Sequence, residues 1–204
     1  MNSAVIWLTV LLGFGVLVAR RRSVGIALVT AQSLLLASSA LDSGDSLPDR
    51  LAAAGSLTVR ALLFAGLLFV MVHRTREERP VRAQAGPAGR GAAAICFALM
   101  LATMIPPLGL ESDDAQRGIV SLLAFGVVTV ATRRSTLLQL LGLVVVENAV
   151  AMAALTAPVQ LPTVIELGVA ADLIVLVVVA ALLHHRIYLA FGTGDVSRLE
   201  SLRD

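Results

Sequence analysis

The chain has no lysine, a single cysteine and few aromatic residues, which make up 4% of its 204 positions. Each scarcity excludes something. Cys96 cannot form an intrachain disulfide. With three His in the chain, it offers no Cys/His cluster for a metal and no cysteine set for an iron–sulfur cluster. All sixteen basic residues are Arg, and the net charge is +2. Such a balance could suggest nucleic acid. The arginines fall between apolar runs rather than on one soluble face, so no nucleic-acid partner is expected. Charge is scarce as well, at 15% against 57% hydrophobic residues, with a mean hydropathy of +0.88. A soluble domain is more polar than this. No H-E-x-x-H, G-x-S-x-G, P-loop or G-x-G-x-x-G motif occurs, so the chain is expected to have no catalytic centre of its own. The start, MNSAVIWLTV, lacks the positive segment of a signal peptide, and its arginines follow the apolar run. It reads as a retained helix.

What is present is a series of apolar runs long enough to cross a bilayer. They fall at about 4–19, 24–41, 51–72, 91–110, 116–132, 135–157 and 163–183. The expected fold is all-α, a polytopic membrane protein of about seven transmembrane helices. The fourth span ends at Pro106-Pro107, where a helix should kink or stop. Arginines crowd the connections at 20–22, 73–90, 133–134 and 184–186. The alternate connections, at 42–50, 111–117 and 158–162, hold acids or no charge excess. The arginine side is cytoplasmic by the positive-inside rule, with the N-terminus outside and the C-terminus inside. The loop 73–90 carries Gly, Pro and charge and reads as flexible. It divides an N-terminal three-helix region (residues 1–72) from a C-terminal four-helix region (residues 91–183). A cytoplasmic tail, 184–204, follows. In it Asp195 could cap a short helix carrying Val196, Leu199 and Leu202, lying on the membrane surface, docked on a cytoplasmic partner or frayed.

Ionisable groups inside spans are costly and usually face other helices or a wet cavity. Here they are Arg60, Glu147, Glu166 and Asp172, with Gln32 as an uncharged polar group. At about 1.5 Å per residue, Gln32, Arg60 and Asp172 lie roughly 13 Å below the outer end and Glu147 roughly 15 Å. Glu166 is shallower, at about 5 Å. Four polar side chains on four helices thus share one level. Arg60 can neutralise Glu147 or Asp172 but not both, which leaves a carboxyl free to titrate as in a proton relay. A plain neutralised pair is the competing reading. Gln32 reads as a helix–helix hydrogen bond. Asn148 points about 100° away from Glu147 around the helix, towards another interface. His73, His184 and His185 sit at cytoplasmic ends beside headgroups rather than in a metal site. Met100 and Met104 share a helix face and read as packing rather than as a copper path.

The residues LLGLVVVENAVAMAAL, then PTVIELGVAADLIVLVVVAALL and FGTGDVSRLESLRD, resemble the membrane subunit family called hydrogenase-4 component E. The likeness lies over Gly142 to Asp204; residues 1–110 share only hydropathy and span number. That family belongs to the membrane arm of formate hydrogenlyase-like complexes and other group 4 [NiFe] hydrogenases. Its last helices resemble the K-type subunit of respiratory complex I and the C-type subunit of multisubunit Na⁺/H⁺ antiporters. In the K-type subunit a Glu in each of two consecutive helices joins a hydrated proton axis. The resemblance carries this to Glu147 and Glu166, whereas depth pairs Glu147 with Asp172. It implies an accessory, non-redox subunit in a bacterial cell membrane, surrounded by lipid. Its partners would be antiporter-like and anchor membrane subunits and soluble hydrogenase or oxidoreductase subunits. No cofactor is expected in this chain; the [NiFe] site and iron–sulfur clusters would lie on partner subunits. The alternatives are a subunit of a cation/proton antiporter or an independent transporter, and a purely structural scaffold.

Overall fold

The computed structural model describes residues 1–42, 47–75, 86–110, 112–133, 135–157 and the single position 178. Within them the chain forms six helices. They are α1 (Ser3–Val18), α2 (Arg22–Ala40), α3 (Leu47–Thr75), α4 (Pro87–Met104), α5 (Asp113–Thr132) and α6 (Thr136–Thr156). The five from α2 to α6 are long and apolar enough to cross a membrane, while α1 is a shorter apolar helix of 16 residues. The chain is a multi-pass membrane protein. The expected seventh span, 163–183, lies outside the described residues but for position 178, and the tail with its short helix lies wholly outside them.

Local chemistry sets the helix ends. The Asn2 side chain accepts from the Ala4 amide at 3.2 Å and starts α1. Helix α5 begins at Asp113, three residues before the expected start. The Ser112 hydroxyl accepts from the Ala115 amide at 3.2 Å there, and Asp113 and Asp114 suit the positive helix end. Gln116, taken as the span's first residue, instead pins the preceding connection. Its amide donates to the Pro106 carbonyl and its Oε1 accepts from the Leu108 amide. Helix α4 opens on Pro87 and stops at Met104, because Ile105 must be extended before Pro106. The arginine-rich connection expected over 73–90 is therefore shorter: helix runs to Thr75 and resumes at Pro87.

Packing joins the N-terminal and C-terminal regions. Helix α5 lies against α6, α1 and α4, while α2 lies against α3, α1 and α6. Ile6, Leu36, Phe64, Leu122 and Val145, from five helices, share one buried apolar cluster. The α5–α6 contact is the closest. A Cβ on Gly142 would stand 2.8 Å from the Gly126 carbonyl oxygen, so the two backbones touch. Helices α3 and α4 form the flanks, with Leu62, Leu63, Phe69, Ile95 and Leu99 exposed. Such faces belong against lipid or another subunit. Met100 and Met104 are exposed here too, at 44% and 71%. Their shared face of α4 points outward, so their packing is against lipid or a partner rather than within the described core.

Candidate functional site: a polar layer inside the bundle

One group of buried polar side chains converges where α2, α3 and α6 meet. Glu147 and Asn148 are consecutive on α6, Gln32 and Ser33 are consecutive on α2, and Arg60 comes from α3. Gln32 and Asn148 are fully buried, and Arg60 and Glu147 are 5% and 7% exposed. Arg60 donates through Nη1 to Glu147 Oε1, forming a buried ion pair. Its Nη2 lies 3.4 Å from Asn148 Oδ1. Asn148 Nδ2 donates to Gln32 Oε1 at 2.9 Å, and Ser33 Oγ donates to Asn148 Oδ1 at 3.1 Å. Gln32 Nε2 then donates to the Thr9 carbonyl of α1 at 2.9 Å. The network thereby touches four helices. Gly13 makes room for the last step, since a Cβ there would meet Gln32 Nε2 at 3.0 Å and Leu122 Cδ2 at 2.6 Å.

Helix periodicity explains the arrangement. Neighbours on a helix diverge by about 100°, so Glu147 and Asn148 face different partners. Asn148 does address another interface, that with α2. Yet the Arg60 guanidinium is a fork, and it reaches both acceptors at once. Gln32, Arg60, Glu147 and Asn148 are thus held in one group. Ser33 and the Thr9 carbonyl complete it without having been singled out from sequence. Serine two turns inside an apolar helix is an ordinary residue there, and a backbone carbonyl leaves no sequence signal. Glu166 and Asp172 lie outside the described residues.

The layer is not fully satisfied. Glu147 Oε2 is buried and has no hydrogen-bond partner, while Oε1 carries the ion pair. The site therefore offers a compensated charge with one oxygen still able to accept a proton or a hydrogen bond. Asn148 is the hub, joined through its side chain to Gln32, Ser33 and Arg60. Asn148→Ala strips all of these contacts at once. It is expected to cost about 1–3 kcal/mol, because buried donors and acceptors lose their partners. Thermal unfolding of the detergent-solubilised chain measures this; an unchanged midpoint would mean that the layer adds no cohesion.

Together the apolar helices and the buried charged layer define a multi-pass membrane protein, helical through its described elements, with ionisable side chains in its interior, where such groups usually serve a function. Among known proteins the chain is similar to hydrogenase-4 component E. The protein of that name from Escherichia coli K12 is 24% identical over 154 residues, covering 74% of this chain and 71% of the relative. Those from Escherichia coli O157:H7 and Shigella flexneri match to the same extent. The similarity therefore reaches well beyond the C-terminal third. No family model matches the chain, and no solved structure matches it.

Proposed function

We propose that the chain is an accessory, non-redox membrane subunit of a bacterial hydrogenase complex of the hydrogenase-4 kind, and that its buried carboxyls contribute to a proton path. In this reading it lies in the plasma membrane with seven spans, N-terminus outside and C-terminus inside. The three-helix region (residues 1–72) and the four-helix region (residues 91–183) together carry the polar layer. The similarity to hydrogenase-4 component E supports the assembly. Nickel–iron and iron–sulfur chemistry would reside on partner chains, and antiporter-like and anchor subunits would flank the exposed sides of α3 and α4.

One observation carries the mechanistic proposal: Glu147 is buried in an apolar bundle, paired through Oε1 and unpartnered at Oε2. An ion pair in such a place is poorly explained by stability, since apolar residues of similar volume often serve as well or better. A proton carrier explains both the cost and the spare oxygen. Protons would enter and leave at Oε2, with Arg60 holding the charged form between transfers. Glu166 and Asp172 on the following span would take the next step. Glu147→Gln keeps shape and hydrogen bonding but cannot titrate. In membranes containing the whole complex, and scored per assembled complex because Arg60 loses its counter-charge, it is expected to lower proton translocation roughly tenfold or more.

The second reading, a structural scaffold, draws on the same ion pair, because Arg60 neutralises Glu147 directly. It expects full proton translocation from Glu147→Gln, so the one experiment separates the two.

A further inference from the structure

A second polar cluster lies away from the Glu147 layer, at the end of the bundle where α1 and α5 finish and α4 and α6 begin. Arg90 occupies the first turns of α4 and is 2% exposed. Arg133 follows α5 and is 4% exposed, and Ser135, the N-terminal flank of α6, is fully buried. Arg133 folds back over α1, where its Nη2 donates to the Leu17 carbonyl at 2.8 Å and also to the Ala19 carbonyl. Arg90 stands within electrostatic reach of both Arg20 and Arg133. Arg20 itself is exposed, so the cluster borders the surface. Gln139 fixes the turn between α5 and α6 by donating to the Arg133 carbonyl at 2.9 Å.

The donors here outnumber the acceptors. Arg90 Nε and Nη1, Arg133 Nε and Ser135 Oγ are all buried without a hydrogen-bond partner. No carboxylate pairs with Arg90 or Arg133 among the described residues. Helix termini add to the imbalance. Helices α4 and α6 both begin without a side-chain cap, so their free amides and positive ends lie at the same end as the arginines. Arg133 has already taken the carbonyls that end α1. Burial, and then the charge of Arg90, bring the Arg133 pKa down to about 10. Like charges buried together this way call for an anion.

We infer that Arg20, Arg90, Arg133 and Ser135 form a binding site for a phosphate-bearing anion at this end of the bundle. Guanidinium forks match phosphate oxygens in pairs, a serine hydroxyl donates a further bond, and uncapped helix starts favour the same charge. Two sources carry this chemistry: the headgroup of an anionic phospholipid, and free phosphate or a soluble phosphorylated molecule. The site does not depend on the Glu147 layer or on the proton path proposed above.

The test uses the full chain, purified in detergent and stripped of lipid. Bound lipid is counted by native mass spectrometry, and thermal stabilisation is followed in parallel. Dioleoylphosphatidylglycerol, dioleoylphosphatidylcholine and inorganic phosphate are the probes. The wild-type chain is expected to take phosphatidylglycerol about tenfold more tightly than phosphatidylcholine. Arg90→Gln should abolish that preference, and Ser135→Ala should weaken it. Arg117→Gln, which removes an arginine in the first turns of α5 at the opposite end, should keep it. Stabilisation by phosphatidylglycerol alone assigns the anion to lipid; equal stabilisation by inorganic phosphate assigns it to a soluble source. A wild-type chain that binds both lipids alike and ignores phosphate overturns the proposal, whether or not Arg90→Gln folds. Arg90→Gln with its preference intact overturns it too.

Discussion

Arg60→Met is expected to destabilise the protein severely, and adding Glu147→Gln is expected to restore most of the loss. The two side chains form a buried ion pair between α3 and α6, helices that otherwise pack chiefly on other neighbours. Removing one partner leaves a bare charge in an apolar interior. Broken buried pairs of this kind cost about 3–5 kcal/mol, most of it from the uncompensated survivor. Methionine fills the volume of the arginine stem, so the loss is electrostatic rather than a cavity. The amide of the second substitution removes the survivor's charge and keeps its shape. The double variant should therefore unfold closer to the wild type than the single variant does. A coupling energy on the order of 2 kcal/mol or more is expected from the double-mutant cycle. Thermal unfolding in detergent, with membrane yield as a second readout, supplies all four corners. Equal losses in the single and double variants would show that Arg60 acts by packing alone.

Gly142→Leu should be comparably damaging, for a steric reason. A Cβ at residue 142 would lie 2.8 Å from the Gly126 carbonyl oxygen and 2.9 Å from the Val130 amide nitrogen. Those are backbone atoms and cannot swing aside, so α5 and α6 must separate. The reciprocal position is as tight: a Cβ on Gly126 would lie 2.7 Å from the Gly142 carbonyl oxygen. Forced repacking costs about 1–3 kcal/mol, and a leucine between two touching helices belongs at or above the top of that range. The damage also travels. Glu147 lies five residues along α6, about 7.5 Å away, so moving α6 off α5 shifts the carboxylate relative to Arg60. Gly66→Ala is the control: nothing lies within 4 Å of its added Cβ, and helix propensity favours alanine. The expected result is a lower unfolding temperature for Gly142→Leu and no decrease for Gly66→Ala. Equal behaviour of the two would contradict the close α5–α6 contact.

Much of the helical framework was legible because a bilayer span is a blunt signal. Twenty apolar residues bounded by charge allow few other readings, and the six described helices fall within a few residues of expected spans for that reason. Boundaries moved where local chemistry outweighed hydropathy. Ser112 capped α5 early, and Pro106 closed α4 at Met104 while hydropathy continued to Leu110. Depth arithmetic could place Gln32, Arg60 and Glu147 at one level, because rise per residue is nearly constant. It could not foresee that one guanidinium would serve Glu147 and Asn148 together, since rotation around a helix says nothing of the length of a partner's side chain. The fate of Arg90 and Arg133 was hidden for a related reason. Arginines between spans read as solvated flanks, yet their long stems let these two fold inwards. Burial of Arg133 depends on carbonyls at the end of α1, more than a hundred residues away in sequence.

The ion pair also sets a schedule for biosynthesis. Arg60 precedes Glu147 by 87 positions. At about 5–20 residues per second, the ribosome delivers the carboxylate roughly 4–17 seconds after the cation. Gln32 waits longer for Asn148, which follows it by 116 positions. During that interval α3 carries an unmatched charge that a lipid interior rejects. Until α6 arrives, α3 must therefore be kept beside the insertion machinery, at the interface or against α2. The ion pair thus ties the final settling of α3 to the arrival of α6.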